Sequence, residues 1–385
     1  MNHVRFGIIG LGNMGAVHAR AFLEGKIPRG VLSAVCDMNP AATAKFPGIP
    51  VFNDSATLVA SGTVDAVLIG TPHFSHTPIG IAALEAGLHV LVEKPNSVHK
   101  ADCERLIAAY RPKEKAQVFA AMFNQRTDPF YAKLRELIQS GELGAVRRIQ
   151  WTVTNWFRSQ AYYNSGGWRA TWAGEGGGVL LNQCPHNLDL WQWLFGMPSE
   201  VRAFATLGRY HDIEVEDDVT AYLGYPDGAS GVFITSTGEA PGTNRLEVAA
   251  ERGRVVIEND RFSYTRNEIP MSDFSRTTAG GFDRPPTWDI TIPISGHGSQ
   301  HLGILVNFVE AILDGKPLLA PAVEGILSVE LANAMLLSSF EGATIRLPLD
   351  GARYEAILQR KIAKSKVKLP VIVTSMGDFS KSFNP

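Results

Sequence analysis

The chain has 385 residues, and 36 Lys and Arg against 38 Asp and Glu leave a formal net charge of −2. That length suggests two domains, and the balanced charge excludes a polyanion binder, which needs clustered cations. Three scattered cysteines, Cys36, Cys103 and Cys184, exclude a disulfide framework and a multi-cysteine zinc site.

In chain order, residues 4–9 read as a first strand running into glycines, and residues 14–23 as a helix. Residues 31–36 form a second strand ending at Asp37, and residues 66–69 a third running into Thr71-Pro72. Residues 79–86 read as a helix, residues 90–92 as a fourth strand ending at Glu93-Lys94-Pro95, and residues 118–121 as a fifth strand. Strands alternating with helices imply parallel βαβ units, with continuous apolar strands covered on both faces. After Asn124 the pattern changes. A helix over 130–140 leads to alternating runs at 146–154, 201–207, 218–224, 231–237, 246–251 and 254–258, an open and mostly antiparallel sheet. Residues 265–293 read as a long loop, and residues 306–313 and 327–337 as helices. The expected fold is α/β, with a dinucleotide-binding domain over 1–123, a substrate-binding α/β domain over 124–350, and a C-terminal helix and tail over 351–385. The basic run Arg360, Lys361, Lys364, Lys366 and Lys368 reads as a solvated helix face and tail. No apolar run is expected to span a membrane, and the first residues lack a signal-peptide pattern. A cytoplasmic protein without membrane or nucleic-acid partners is expected.

Gly10-Leu11-Gly12-Asn13-Met14-Gly15 matches G-x-G-x-x-G between a strand and a helix. In that pattern the first glycine permits the turn, the second lets backbone approach a pyrophosphate, and the third lets helix and strand pack. The helix N-terminus offers free N–H groups and a positive dipole end. Asp37, 22 residues after Gly15, is placed for ribose hydroxyls. Its carboxylate repels a 2′-phosphate, and Met38-Asn39-Pro40 supplies no arginine, so NAD is favoured and NADP is the second choice.

Together with this loop, three further segments carry a resemblance: Thr71-Pro72 with His76, Glu93-Lys94-Pro95, and the run from Gly176-Gly177-Gly178 through Asn182-Gln183-Cys184-Pro185-His186 to Asp189. With the pattern from Phe308 to Gly342, they resemble the glucose-fructose oxidoreductase / inositol dehydrogenase / rhizopine catabolism (Gfo/Idh/MocA) family over residues 4 to about 350. The resemblance implies a Rossmann domain followed by an α/β domain with an open sheet. It also implies cofactor contacts from Gly10, Gly12, Asn13, Met14, Gly15, Asp37, Thr71, Pro72, His76, Glu93 and Lys94. By the same resemblance Lys94 faces the reacting carbon with His186 as its partner. Alcohol oxidation needs a base near the hydroxyl and a cation or donor for developing oxyanion charge. His186 reads as the general base or as a proton carrier beside Lys94, against a buried structural histidine. His186 and Asp189 share a helix face, yet no adequate third ligand accompanies them, so no metal is expected.

The sequence departs from the family pattern at Asn182, where many members have Asp, and at Cys184, where many have Gly. An amide cannot ionise to raise a neighbour's basicity, but it can orient a substrate hydroxyl. Asn182 therefore marks either a subfamily using Lys94 and His186 alone or a protein that has lost efficient turnover, and the first is favoured. Residues 151–172 hold seven aromatics: Trp151, Trp156, Phe157, Tyr162, Tyr163, Trp168 and Trp172. Rings that pack on sugar C–H faces suit a carbohydrate or cyclitol, with Arg158, Arg169 and Asn164 completing hydroxyl contacts. Trp151 reads as core. Trp156, Tyr162, Tyr163 and Trp168 stand evenly between substrate contact and loop packing. Asn124 and Arg126 resemble the segment lining the nicotinamide and substrate space, with capping or interdomain pairing as the alternative. Asp189 and His301 complete the candidate substrate set, and His297 borders it.

The expected function is an NAD-dependent dehydrogenase acting on a ring hydroxyl or ketone of a sugar, glycoside or cyclic polyol. A redox-neutral glycoside-cleaving or epimerising enzyme is the alternative, and a non-catalytic NAD-sensing regulator is less favoured. An open sheet face calls for a homodimer or homotetramer.

Overall fold

A computed structural model describes residues 2–366. Six strands, β1 (Val4–Ile9), β2 (Gly30–Cys36), β3 (Val51–Phe52), β4 (Ala66–Ile69), β5 (His89–Val92) and β6 (Phe119–Ala121), form a parallel sheet in the order 3-2-1-4-5-6. The apolar side chains of β4 are fully buried, as a sheet covered on both faces requires. The register sets Ile9 beside Cys36 and Ile69, Ile69 beside Val92, and Val92 beside Ala121. The chain therefore leaves β1, β2, β4, β5 and β6 at one level. The strand order reverses direction between β1 and β4, where ligands of open α/β sheets collect.

The second sheet has nine strands: β7 (Val146–Val153), β8 (Glu200–Leu207), β9 (Glu216–Gly224), β10 (Ser230–Ser236), β11 (Asn244–Ala250), β12 (Gly253–Glu258), β13 (Arg261–Asn267), β14 (Thr287–Thr291) and β15 (Ile345–Arg346). Their order is 14-13-12-11-7-10-9-8-15, antiparallel except for the β7–β10 pair. The helices Pro185–Phe195 and Gly325–Glu341 cover one face. There Trp151, 0% exposed, stacks edge-on against Phe233, which meets Trp191 in the same way. Alternation sends Phe204 and Tyr222 to the opposite face, where they are 64% and 48% exposed.

Three expectations need correction. The segment read as a long loop carries the end of β13 from Thr265 to Asn267, the helix Met271–Thr277 and all of β14. β14 is an edge strand, largely exposed on both faces, so its sequence lacks the alternation by which strands are recognised. The stretch Ala322–Glu341 is long and apolar enough to cross a membrane, contrary to the expectation; it is 67% buried within the protein, and Ser338 Oγ accepts from Ala203 N on β8. Lys361 is not simply solvated, since its Nζ lies 3.9 Å from the Phe340 ring centroid and 4.8 Å from that of Trp172. Lys368 and the expected tail over 367–385 fall outside the described residues.

The division near residue 124 is crossed once more than expected. The helix Gln300–Asp314 returns to the first core, where Phe308 stacks on Phe6, and Ala121 N donates to Ala320 O at 3.0 Å.

Candidate active site

Gly10 has φ +90° and lies against the backbone of Gly70 and Thr71. A Cβ on Gly15 would stand 1.8 Å from the Gly10 carbonyl oxygen, so only glycine lets the helix Asn13–Leu23 approach β1 this closely. At Gly12 a Cβ would meet nothing within 4 Å, and Gly12 caps the helix with no side-chain hydrogen bond. Gly12 and Asn13 are exposed and Met14 half-buried, which leaves open space over a helix N-terminus. Asp37 accepts from Leu11 N at 2.7 Å and from Asn39 N at 2.8 Å, so its carboxylate is fixed beside the loop. Thr71 Oγ1 is buried without a partner among the described residues. An open glycine cradle, an anchored carboxylate and an unsatisfied hydroxyl fit a dinucleotide. Pro72 is exposed beside Thr71. His76 instead is 1% exposed, with Nδ1 2.8 Å from Pro95 O and Nε2 2.8 Å from Thr71 O. It ties two strand-end loops together and offers neither ring nitrogen to a cofactor.

Glu93 and Lys94 follow the end of β5. The Glu93 carboxylate meets His18 Nε2 at 2.6 Å and accepts from Lys94 N at 3.2 Å. Burial raises its pKa, but His18, helped by His301 and Lys94, overrides burial and holds it at about 2. The His301 ring stands 5.6 Å from that of His18, and burial lowers its pKa to about 4. Glu93 thus serves a buried contact with His18 beneath Lys94, and His18 is a site residue that the sequence reading missed. Lys94 is half-buried and precedes a cis peptide to Pro95, and its Nζ donates to Asn182 O at 2.8 Å. Burial lowers its pKa, and Glu93 and Glu175 partly offset that effect.

The second half of the site is the stretch from β7 to the helix Pro185–Phe195. Glu216, 0% exposed, holds it: both carboxylate oxygens accept from Gly178 N at 2.9 Å, and Oε1 accepts from Leu180 N at 3.1 Å. A Cβ on Gly178 would overlap the Glu216 carbonyl at 1.9 Å, which explains a glycine there. Burial pushes the Glu216 carboxyl up to about 7, against the pull of those N–H donors. Four residues beyond Gly178, Asn182 Nδ2 donates to Oε1 of Glu175. His186 Nδ1 is buried without a hydrogen-bond partner among the described residues, and its ring stands edge-on to Phe123 at 6.3 Å. Burial, reinforced by Lys94 and His301, lowers its pKa well below the ordinary value. A histidine so depressed is suited to be a neutral donor or carrier rather than a general base. Cys184 is fully buried with its Sγ 2.9 Å from Thr235 Oγ1, and burial pushes its thiol up to about 12.

The aromatic loop divides. The Tyr162 hydroxyl accepts from Arg169 Nη1 at 2.8 Å, and Arg169 also lies over the Tyr162 and Trp168 rings. Arg158 lies over Trp156 and Tyr162. Trp168, 36% exposed, stands edge-on to His73, whose Nδ1 is 3.3 Å from Glu175 O. This group joins the second half of the site to the loop after β4. Tyr163 is a correction: it is 3% exposed, its hydroxyl pairs with Thr237 Oγ1 at 2.7 Å, and its ring packs on His211. Arg126 and Asp189 are further corrections. They form a buried bidentate pair at 2.8 and 2.7 Å, and Arg126 also donates to Leu319 O and Glu324. Burial works against the Arg126 charge, and Asp189 and Glu324 more than restore it. Their polar atoms are satisfied by protein groups that all lie within residues 124–350, so the pair is internal to the second half and not the interdomain pairing named for Arg126. Asn124 is buried and donates to Gln300 Oε1 at 2.6 Å. His297 is exposed near Asp128 and Asp260.

Glu175, His73 and Glu216 were not singled out from the sequence. The signal for Glu175 was an acidic residue inside the glycine run Gly174–Gly178; nothing local marks the other two.

Residues 4–143 match an oxidoreductase family with an NAD-binding Rossmann fold, and residues 131–256 match the Gfo/Idh/MocA C-terminal domain. The inositol 2-dehydrogenase of Rhizobium meliloti is 27% identical over 353 residues, 89% of this chain and 99% of that protein. The levoglucosan dehydrogenase of Pseudarthrobacter phenanthrenivorans is 24% identical over 396 residues, covering 90% and 99% of the two chains. Among solved structures, the WlbA dehydrogenase of Bordetella pertussis, in complex with NADH and UDP-GlcNAcA, superposes with a TM-score of 0.77 at 25% identity, covering 90% of this chain and all of that one. A glycine cradle, a strand-end lysine and the G-G-G to histidine segment thus stand together on a shared architecture, and the chain belongs to the Gfo/Idh/MocA family of NAD-binding oxidoreductases.

Proposed function

We propose that the protein oxidises a ring hydroxyl of a sugar, glycoside or cyclic polyol, or reduces the corresponding ketone, with Lys94 as the proton acceptor. The observation that carries this reading is the Lys94 amine, depressed by burial and held by the Asn182 carbonyl two residues past the row where the parallel strands end. Gly10, Gly12, Gly15, Asp37 and Thr71 would hold NAD, which would supply the hydride-accepting chemistry. The amine takes the hydroxyl proton, and as an ammonium it returns that proton in the reverse direction. His186, neutral and unpartnered at Nδ1, is suited to hydrogen-bond the same oxygen. Trp156, Tyr162 and Trp168, with Arg158 and Arg169, supply ring faces and donors for a polyhydroxylated ligand. The names of the inositol and levoglucosan dehydrogenases support a neutral cyclic polyol or anhydrosugar. Asp37 favours NAD over NADP through its charge.

The test is absorbance of reduced nicotinamide with NAD and a panel of inositols, sugars and glycosides. Silence across the panel, and across the matching ketones with NADH, overturns the reading. No observation favours the redox-neutral alternative. We place the protein in the cytoplasm, with residues 1–123 as the cofactor half and 124–350 as the substrate half. We also place it in a homodimer or homotetramer that covers the face bearing Phe204 and Tyr222. A monomeric mass at micromolar concentration would contradict that assembly.

A further inference from the structure

The chemistry just described leaves one buried carboxylate beside the reacting amine without a task. Glu175 is 1% exposed. Its Oε1 accepts from Asn182 Nδ2, and its Oε2 accepts from Ala170 N at 2.6 Å. Burial raises the Glu175 pKa, and Arg169, the N–H donors of Ala170 and Asn182, and Lys94 all pull against it; two oxygens that each receive an N–H donor are arranged for a carboxylate. Arg169 Nη1 stands 3.9 Å away and adds attraction. On the other side of the same asparagine, the backbone carbonyl takes the Lys94 amine at 2.8 Å. One residue therefore carries the amine on its main chain and the carboxylate on its side chain. The geometry points to Glu175 as a positioning residue that, through Asn182, fixes the Lys94 amine and supplies the negative charge that an amide at position 182 does not.

The charges around the amine support this assignment. Lys94 is faced by Glu93 from its own strand end and by Glu175, Arg158 and Arg169 from the second half of the site. The imidazoles of His73, His76, His186 and His301 face it as well, all with pKa values lowered by burial and hence neutral. Around Glu175 stand Arg169 and Lys94, with Glu216 and the Tyr163 hydroxyl behind. Of the two carboxylates facing Lys94, Glu93 has the larger effect and is held by His18, and Glu175 is the one tied to the amine through Asn182. An anion near an ammonium favours the charged form. Removing it lowers the Lys94 pKa, and adding a second anion raises it.

The role of Glu175 rests on Lys94 being the proton acceptor, so the test reads the amine without turnover. Competitive acetylation of the full chain across pH, followed peptide by peptide by mass spectrometry, gives the Lys94 titration midpoint. The pH profile of kcat/KM for oxidation is measured alongside. Glu175→Gln is expected to move the midpoint and the acidic limb down by about one pH unit, and Asn182→Asp to move both up. The double variant, which relocates the carboxylate, is expected to return both towards the native value. A merely structural Glu175 would leave the midpoint in place whatever happens to thermal stability, and that result overturns the proposal. If Glu175→Gln does not fold, Glu175→Asp, which keeps the charge but withdraws it from Asn182, decides instead, and an unmoved midpoint there is the refuting outcome. Shifted labelling with no sugar oxidised upholds Glu175 and sinks the dehydrogenase reading; sugar oxidation with unmoved labelling does the reverse.

Discussion

Lys94 and Asn182 touch at 2.8 Å, yet they arrive there by different means. Lys94 leaves β5 two residues past a row in which Ile9, Ile69, Val92 and Ala121 are locked in register, so strand pairing alone fixes its height above the sheet. Asn182 sits in an irregular stretch between β7 and the helix Pro185–Phe195, interrupted only by the short helix Gln160–Asn164 among the described residues. There no ladder sets position. Buried carboxylates do: Glu216 grips the N–H groups of Gly178 and Leu180, and Glu175 grips those of Ala170 and Asn182. One side of the site is positioned by backbone pairing and the other by side chains that cap loose backbone. The first arrangement should tolerate exchange of the residue at its strand end, whereas the second should lose its shape when a single carboxylate is removed.

The largest expected effect breaks the ladder-borne side. Lys94→Ala should cut kcat by ~10²–10⁴-fold, the range of general acid–base groups, with NAD affinity by fluorescence titration nearly unchanged, because the glycine loop and Asp37 would hold the cofactor. Loss of cofactor binding in proportion would mean that Lys94 holds NAD rather than moves a proton. Next comes the buried clamp within the second half. Arg126→Met strands Asp189 in the core, and breaking a buried pair in this way costs about 3–5 kcal/mol. The melting temperature should fall sharply and recover in part when Asp189→Leu is added. A stable single variant with a raised KM would restore Arg126 to the substrate site.

The same contrast governs what could be read from the sequence. β1, β4, the glycine loop and the strand-end Lys94 were legible because a parallel strand is a continuous apolar run and its catalytic groups lie just past its end. Trp151 was legible as core because it lies within an alternating run. Tyr163, Arg126 and Asp189 were misplaced for one reason: whether a polar tip meets ligand or protein depends on partners far along the chain, Thr237, Leu319 and Glu324 among them. Glu216, 38 residues from the Gly178 it holds, leaves no local trace at all. β14 escaped notice because an exposed edge strand needs no alternation.

A smaller effect tests the Glu93–His18 contact under the ladder. Glu93 has its pKa held at about 2, below the ordinary 4.5 of a free carboxyl, by His18 and its neighbours against burial. A carboxyl depressed in the folded state contributes stability above the unfolded value of 4.5 and loses it as pH falls towards 2. Native protein should therefore lose stability steeply between about pH 4.5 and 2, and Glu93→Gln should flatten that part of the curve in urea denaturation. An unchanged slope would remove the pair from the account of stability.

The smallest effect probes the loop-borne side where it meets ligand. Trp168 is 36% exposed, flanked by Arg169 on its face and His73 at its edge, so little of the fold depends on the outer half of its ring. Stacking on a sugar face is worth about 0.5–1.5 kcal/mol, the scale of an aromatic pair, and Trp168→Ala should raise KM by ~2- to 12-fold. Because the ring holds ground and transition states alike, kcat should stay nearly constant. A fall in kcat at unchanged KM would instead tie Trp168, through His73 and the Glu175 carbonyl, to the placement of the amine.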